Sequence, residues 1–167
     1  MRYKEGSDEN SEAHSAYEEY RENLYRYVYR IVSNRADAED IMGGIYIRVI
    51  TKWKNLKDVR ATRNWIFTIA RHLAFDKLKQ RTLISLDDVN PIGVGGLEAK
   101  TVMRITVRQT LNGLQQDYRD PLILCDMDDR PAKEAAKILG LTVPALKSRL
   151  YRGRIALRDK LESALIT

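Results

Sequence analysis

The stretch from Asp129 to Lys160, DRPAKEAAKILGLTVPALKSRLYRGRIALRDK, constrains the fold most, because its punctuation fits helix, tight turn and longer helix. Pro131 suits a first helical position, where a missing N–H loses no partner. Ala132, Ala135, Ala136, Ile138 and Leu139 then predict a small-residue helix able to pack closely on a neighbour. Gly140 is the natural left-handed stop for that helix. Thr142 is a natural N-cap for the next, and Pro144 falls in its first turn, where proline is tolerated. Val143, Leu146, Leu150, Gly153, Leu157 and Leu161 share one narrow stripe at helical spacing. Lys147, Ser148, Arg149, Arg152, Arg154 and Arg158 lie off it. The pattern predicts a helix-turn-helix whose second helix offers cations and hydroxyls to a polyanion, as a recognition helix does in a major groove. The plainer alternative is a solvated basic face on an ordinary helical hairpin. Agreement of turn chemistry, caps and charge favours the DNA-binding reading.

Charge along the chain adds a second location. The net charge of +6 points only weakly to a polyanionic partner, but its distribution says more. Residues 1–40 carry net −4, residues 41–81 net +8, residues 82–140 net −2 and residues 141–167 net +4. Two basic blocks separated by a slightly acidic middle are what a protein touching nucleic acid at two places would show.

The single Cys125 excludes an internal disulfide and any cysteine-based zinc site, and reads as a buried, inert thiol. His14 and His72 lie far apart with no ligand spacing around them. No run approaches the roughly 20 apolar residues of a membrane span, and the polar, acidic N-terminus is unlike a secretory signal. A cytoplasmic chain with no metal, no cofactor and no membrane insertion is expected.

Residues 1–14 lack periodicity and predict a disordered tail. From about Ser15 a helical face of Tyr17, Tyr20, Leu24, Tyr27, Val28 and Ile31 emerges, and Ser33-Asn34 ends it. Asp37 to Asp40 opens a helix whose acids complement its positive end, with Ile41, Ile45, Val49 and Trp53 as its stripe. Gly43-Gly44 lies inside it, each glycine costing about 1 kcal/mol relative to alanine. Lys54 to Arg63 is a basic connector, and a third long helix follows over residues 64–81, with Thr62 or Asn64 as cap. Trp65, Ile66, Ile69, Ala70 and Leu73 should pack inward, leaving Phe67 and Phe75 as the better candidates for exposed rings among the cations. Charge interleaved with aromatics resembles single-strand nucleic-acid binders, although aromatics at helical spacing more often belong to a core.

Residues 82–100 hold Pro91, Gly93, Gly95 and Gly96 and predict a flexible linker of about twenty residues. Beyond it Val102, Ile105, Leu111 and Leu114 mark one helix and Asp117 to Cys125 another, and Asp126 to Asp129 reads as an acidic turn. The expectation is an all-α chain of two small helical domains, residues 15–81 and 101–167.

Three segments in this order carry a resemblance to a known family: DAEDIMGGIYIRVITKW (37–53), NWIFTIARHLAFDKLKQR (64–81) and DYRDPLILCDMDDRPAKEAAKILGLTVPALKSRLYRGRIALRDKL (117–161). Together they resemble bacterial RNA polymerase sigma factors of the extracytoplasmic-function (ECF) group in the sigma-70 family. The resemblance implies an N-terminal region 2 domain, a three- to four-helix bundle, that docks on the clamp helices of the polymerase β′ subunit and melts the −10 element. It also implies a C-terminal region 4 domain that reads the −35 element as duplex and binds the β flap. Carried over residue by residue, Asp37, Asp40, Tyr46 and Arg48 should contact core polymerase. Lys57, Arg60, Arg63, Asn64, Arg71 and His72 should hold the −10 strand, and Lys147, Ser148, Arg149, Arg152 and Arg154 should meet the −35 duplex. Gly43-Gly44 departs from the polar-acidic pair usual in the family, and His72 stands where asparagine is common.

The resemblance further implies core RNA polymerase, promoter DNA and an anti-sigma factor as partners, with a free chain that is monomeric. The chain shows no nucleophile–base pair, metal set or phosphate loop, so an enzyme is not expected. The leading rival is an autonomous helix-turn-helix regulator binding duplex operators as a dimer, which would leave the 41–81 block unused. A helical RNA-binding or protein-interaction module is the second.

Overall fold

The computed structural model describes residues 5–84 and 99–166, and the chain divides into two compact units, Met1–Thr82 and Leu83–Thr167. Every regular element among the described residues is helical. The expected 82–100 linker falls largely on residues 85–98, outside the described residues.

The first unit holds three long helices, α1 (Glu5–Val32), α2 (Arg35–Lys52) and α3 (Thr62–Ile84). Their inner faces bury Leu24, Val28 and Ile31 of α1, Ile41, Ile45 and Val49 of α2, and Ile66, Ala70 and Ala74 of α3. The α1–α2 turn is set locally. Ser33 takes a left-handed φ of 52°, and the Asn34 side chain caps α2 by accepting from the Asp37 N–H at 3.0 Å. Asp37 then ties α2 to α3 through Arg81 at 3.3 Å and Lys77 at 3.5 Å. Arg81 also donates to the Val32 carbonyl at 3.1 Å, so it braces the end of α1 as well.

Three expectations are corrected in this unit. The tail predicted over residues 1–14 is helical from Glu5, because Ala13 is fully buried and His14 packs edge-on against Tyr46 at 5.9 Å. Tertiary contact at its inner end thus extends a helix that periodicity alone does not announce. Phe67 and Phe75 are buried, not exposed. Phe67 meets Tyr27 of α1 at 5.5 Å, and Phe75 lies under the Arg71 guanidinium at 5.5 Å, so α3 is covered over a wider arc than its aliphatic stripe. Thr62 opens α3 from within, its hydroxyl donating to the Val59 carbonyl at 2.6 Å rather than capping the helix. Between α2 and α3 the connector makes two 3₁₀ turns, Trp53–Asn55 and Val59–Ala61.

The second unit contains α4 (Ala99–Asn112), α5 (Gln116–Leu122), α6 (Ala132–Leu139) and α7 (Val143–Ile166). Leu111, Leu114 and Leu122 form a core against which Val107, Leu150 and Leu157 pack. Leu114 belongs to the turn after α4, not to the helix. The segment expected to run as helix to Cys125 changes to a wider π turn at Ile123–Met127, where Asp128 donates to the Ile123 carbonyl at 3.0 Å. Cys125 is half-buried, and burial followed by the neighbouring Asp126 pushes its thiol pKa up. Gly153 lets α7 approach α5 closely: a Cβ there would stand 2.9 Å from the Tyr118 carbonyl oxygen.

Candidate nucleic-acid interface

The helix-turn-helix forms as its local chemistry predicts. Gly140 ends α6 at φ 65°, and Leu141 donates back to the Ala136 carbonyl at 2.9 Å. Pro131 stands one place earlier than expected, as the N-cap of α6, where its carbonyl accepts from Glu134 and Ala135. Thr142 caps α7, its hydroxyl accepting from the Ala145 N–H at 3.3 Å. Leu146 and Gly153 are buried, with Leu150 and Leu157 against the core, so α7 is held by one stripe. The opposite face is thereby fixed outward.

That outward face carries Lys147, Ser148, Arg152 and Arg154, all exposed. Residues three, four and seven apart lie together on a helix, which brings Tyr151 between Lys147 and Arg154. Tyr151 is 67% exposed, a large ring in a row of cations that the motif-based selection passed over. Its i+4 spacing from Lys147 was the available signal. Arg149 is turned to the flank, where its Nη1 donates to Asp117 Oδ1 at 2.8 Å. Arg154 is gripped by Asp126 through two bonds of 2.9 and 2.7 Å. The hydrogen bond to Asp126 raises the Arg154 pKa further.

In the first unit Lys57, Arg60 and Arg63 are exposed on the connector and first turn of α3, and Arg60 bonds to Asp58 at 3.2 Å. Asn64, Arg71 and His72 share one side of α3 by their spacing, His72 exposed and the other two half-buried. Trp53 and Trp65, which meet edge to face at 6.1 Å, brace the connector against this helix.

The residues singled out on α2 divide into two kinds. Asp40 is exposed, and Arg48 is half-buried. Asp37 is mostly covered by its α3 ion pairs, whereas Tyr46 packs on Tyr17 at 5.1 Å and is still exposed. Ile47 is 62% exposed, an apolar side chain that falls off the buried stripe and joins Asp40 and Gly43 on one row. A Cβ on Gly43 would meet nothing within 4 Å, and one on Gly44 would sit 3.4 Å from Leu73 Cδ1. Gly43 opens onto a groove of about 710 Å³ between α1 and α2, whose lining includes Tyr17, Glu22, Tyr25 and Glu39.

Comparison with known proteins settles the family. The model of sigma-70 region 2 matches residues 16–83, and that of sigma-70 region 4 matches residues 104–157. The chain belongs to the sigma-70 family. Relatives of this sigma factor include the ECF RNA polymerase sigma factor SigW of Bacillus subtilis, 27% identical over 85% of this chain and 84% of SigW. SigX of the same organism is also 27% identical, over 87% of this chain and 81% of its own. These relatives place the chain in the ECF group. Among solved structures, CnrH in complex with the cytosolic domain of CnrY shares the fold at a TM-score of 0.72 and 18% identity, over 95% of both chains. The sigma factor RpoE of Bartonella quintana, in complex with the anti-sigma factor NepR, shares it at 0.62 and 23% identity, over 84% of this chain and 90% of that one. No helix among the described residues is long and apolar enough to cross a membrane.

Proposed function

We propose that this ECF sigma factor binds core RNA polymerase in the cytoplasm and directs it to promoters, contributing specificity and no catalysis of its own. Its C-terminal unit reads the −35 element as duplex, and its N-terminal unit holds the −10 element once opened. The observation that carries this reading is the outward face of α7, where Lys147, Ser148, Tyr151 and Arg152 project from a helix whose other side is fixed in a core. Cations there supply salt-dependent affinity through phosphates. Side chains at base edges supply choice. In the N-terminal unit, Lys57, Arg60 and Arg63 serve the strand backbone, and the Asn64, Arg71 and His72 side of α3 faces the bases. Unstacking costs a few kcal/mol per base, which capture on this surface would offset.

Asp40, Arg48 and the exposed Ile47 are the α2 groups placed to meet polymerase. Tyr46, exposed while it packs on Tyr17, stands with them, and Asp37 supports this face through its ion pairs to α3. An anti-sigma factor is proposed as a further partner, by analogy with the RpoE–NepR complex. The test is transcription reconstituted from core polymerase and this chain. Discrete start sites, lost when Lys147 and Arg152 are both replaced by Ala, support the reading; duplex operator binding with dyad symmetry and no dependence on polymerase would replace it with an autonomous regulator.

A further inference from the structure

The cations of α7 differ in how they are held. Lys147, Tyr151, Arg154 and Arg158 stand in one row at i, i+4, i+7 and i+11, with Ser148 and Arg152 beside them. Among the described residues no carboxylate lies within ion-pair distance of Lys147 or Arg152. Arg154 and Arg149 are each engaged by an aspartate from a segment well before α7 in the chain. Asp126 in the π turn takes Nε and Nη2 of Arg154, and Asp117 in the first turn of α5 takes Nη1 of Arg149. Both pairs are solvent-exposed, and such pairs contribute little to folding. The guanidinium edge that a carboxylate occupies at two points is the same edge that would grip a phosphate.

We propose that Asp117 and Asp126 are built-in competitors of DNA phosphate, each occupying an arginine of the recognition helix so that this sigma factor alone holds duplex weakly. The inference rests on the reading of α7 as the duplex-facing helix. Each carboxylate must be displaced or must share its arginine before that arginine reaches the backbone, so the two arginines contribute little to counterion release in the free chain. Removing a carboxylate frees one cation, and each phosphate then neutralised steepens the dependence of log affinity on log salt by about 0.9. Over a fourfold change in salt, that slope corresponds to an affinity gain about three- to fourfold larger at the low end for each arginine freed.

The experiment measures binding of the full chain to a short labelled duplex by fluorescence anisotropy, between about 50 and about 200 mM salt. It compares the parent with Asp117→Asn, Asp126→Asn, Asp126→Glu and a Lys147→Ala/Arg152→Ala control. Asparagine keeps the shape of aspartate and removes its charge; circular dichroism confirms that each variant is folded. The expected result is tighter binding with a steeper salt slope for both Asn variants, parental behaviour for Asp126→Glu, and weaker binding for the control. Asn variants that bind no better at unchanged slope, beside a weakened control, overturn the competitor role alone: the carboxylates then merely position their arginines. A control that binds as the parent does overturns the duplex-facing reading of α7, and the competitor role with it.

Discussion

Gly153 and Gly43 use the same residue type for opposite reasons. At Gly153 a Cβ would stand 2.9 Å from backbone oxygen, so Gly153→Ala must push α7 from α5 and should cost about 1–3 kcal/mol in a urea melt. At Gly43 a Cβ meets open space, so Gly43→Ala should gain about 1 kcal/mol by helix propensity. Reversed signs would contradict the packing described. Tyr17 gives a pH prediction. Its hydroxyl donates to the Met42 carbonyl at 3.3 Å, and burial raises its pKa above the ordinary 10.0. A raised folded value means that the stability is fully present below pH 10 and lost as pH rises through the folded value. Tyr17→Phe should therefore show a shallower alkaline loss of stability; equal slopes would sink that assignment. Single residues were the least legible scale in the sequence. The stripe of α3 named Ile66 and Ile69 but left out Phe67, because a stripe does not reveal how many neighbours cover a helix. The Arg149–Asp117 and Arg154–Asp126 pairs span 32 and 28 residues, and no local pattern encodes them.

Elements were more legible, because their ends are decided locally. Thr142 and Gly140 each act where turn and cap chemistry put them, and Asn34, legible only as part of a helix break, also caps α2. Gly140 holds φ 65° and should tolerate alanine poorly: Gly140→Ala is expected to cost about 1–2 kcal/mol in thermal or urea unfolding and to loosen α7 relative to α6. Asn34→Ala should cost about 1 kcal/mol, since the Asp37 N–H loses its acceptor. No loss in either variant would show that the caps are dispensable. What sequence missed at this scale has tertiary causes. The outer turns of α1 continue a helix anchored through Ala13 and His14, although their residues show no apolar stripe. The π turn after Leu122 appears where Asp128 and Arg130 donate back to Ile123 and Leu124, a choice that residue spacing does not announce.

At the scale of the whole chain, the two basic blocks map onto different units, residues 41–81 in the first and residues 141–167 in the second. The Pro- and Gly-bearing stretch between them anticipated the division as well. If the units are independent, residues 1–84 and 99–167 made separately should each be helical and unfold cooperatively in urea; a fragment that is unfolded without the other would contradict that independence. The central claim is that one chain brings polymerase to DNA at a paired and an opened element. Sequencing the 5′ ends of transcripts made by core polymerase with and without this chain on the same DNA tests it most directly. The account predicts new, discrete start sites that share upstream sequence at two positions and that disappear with the Lys147→Ala/Arg152→Ala chain. Start sites identical to those of core polymerase alone would contradict it.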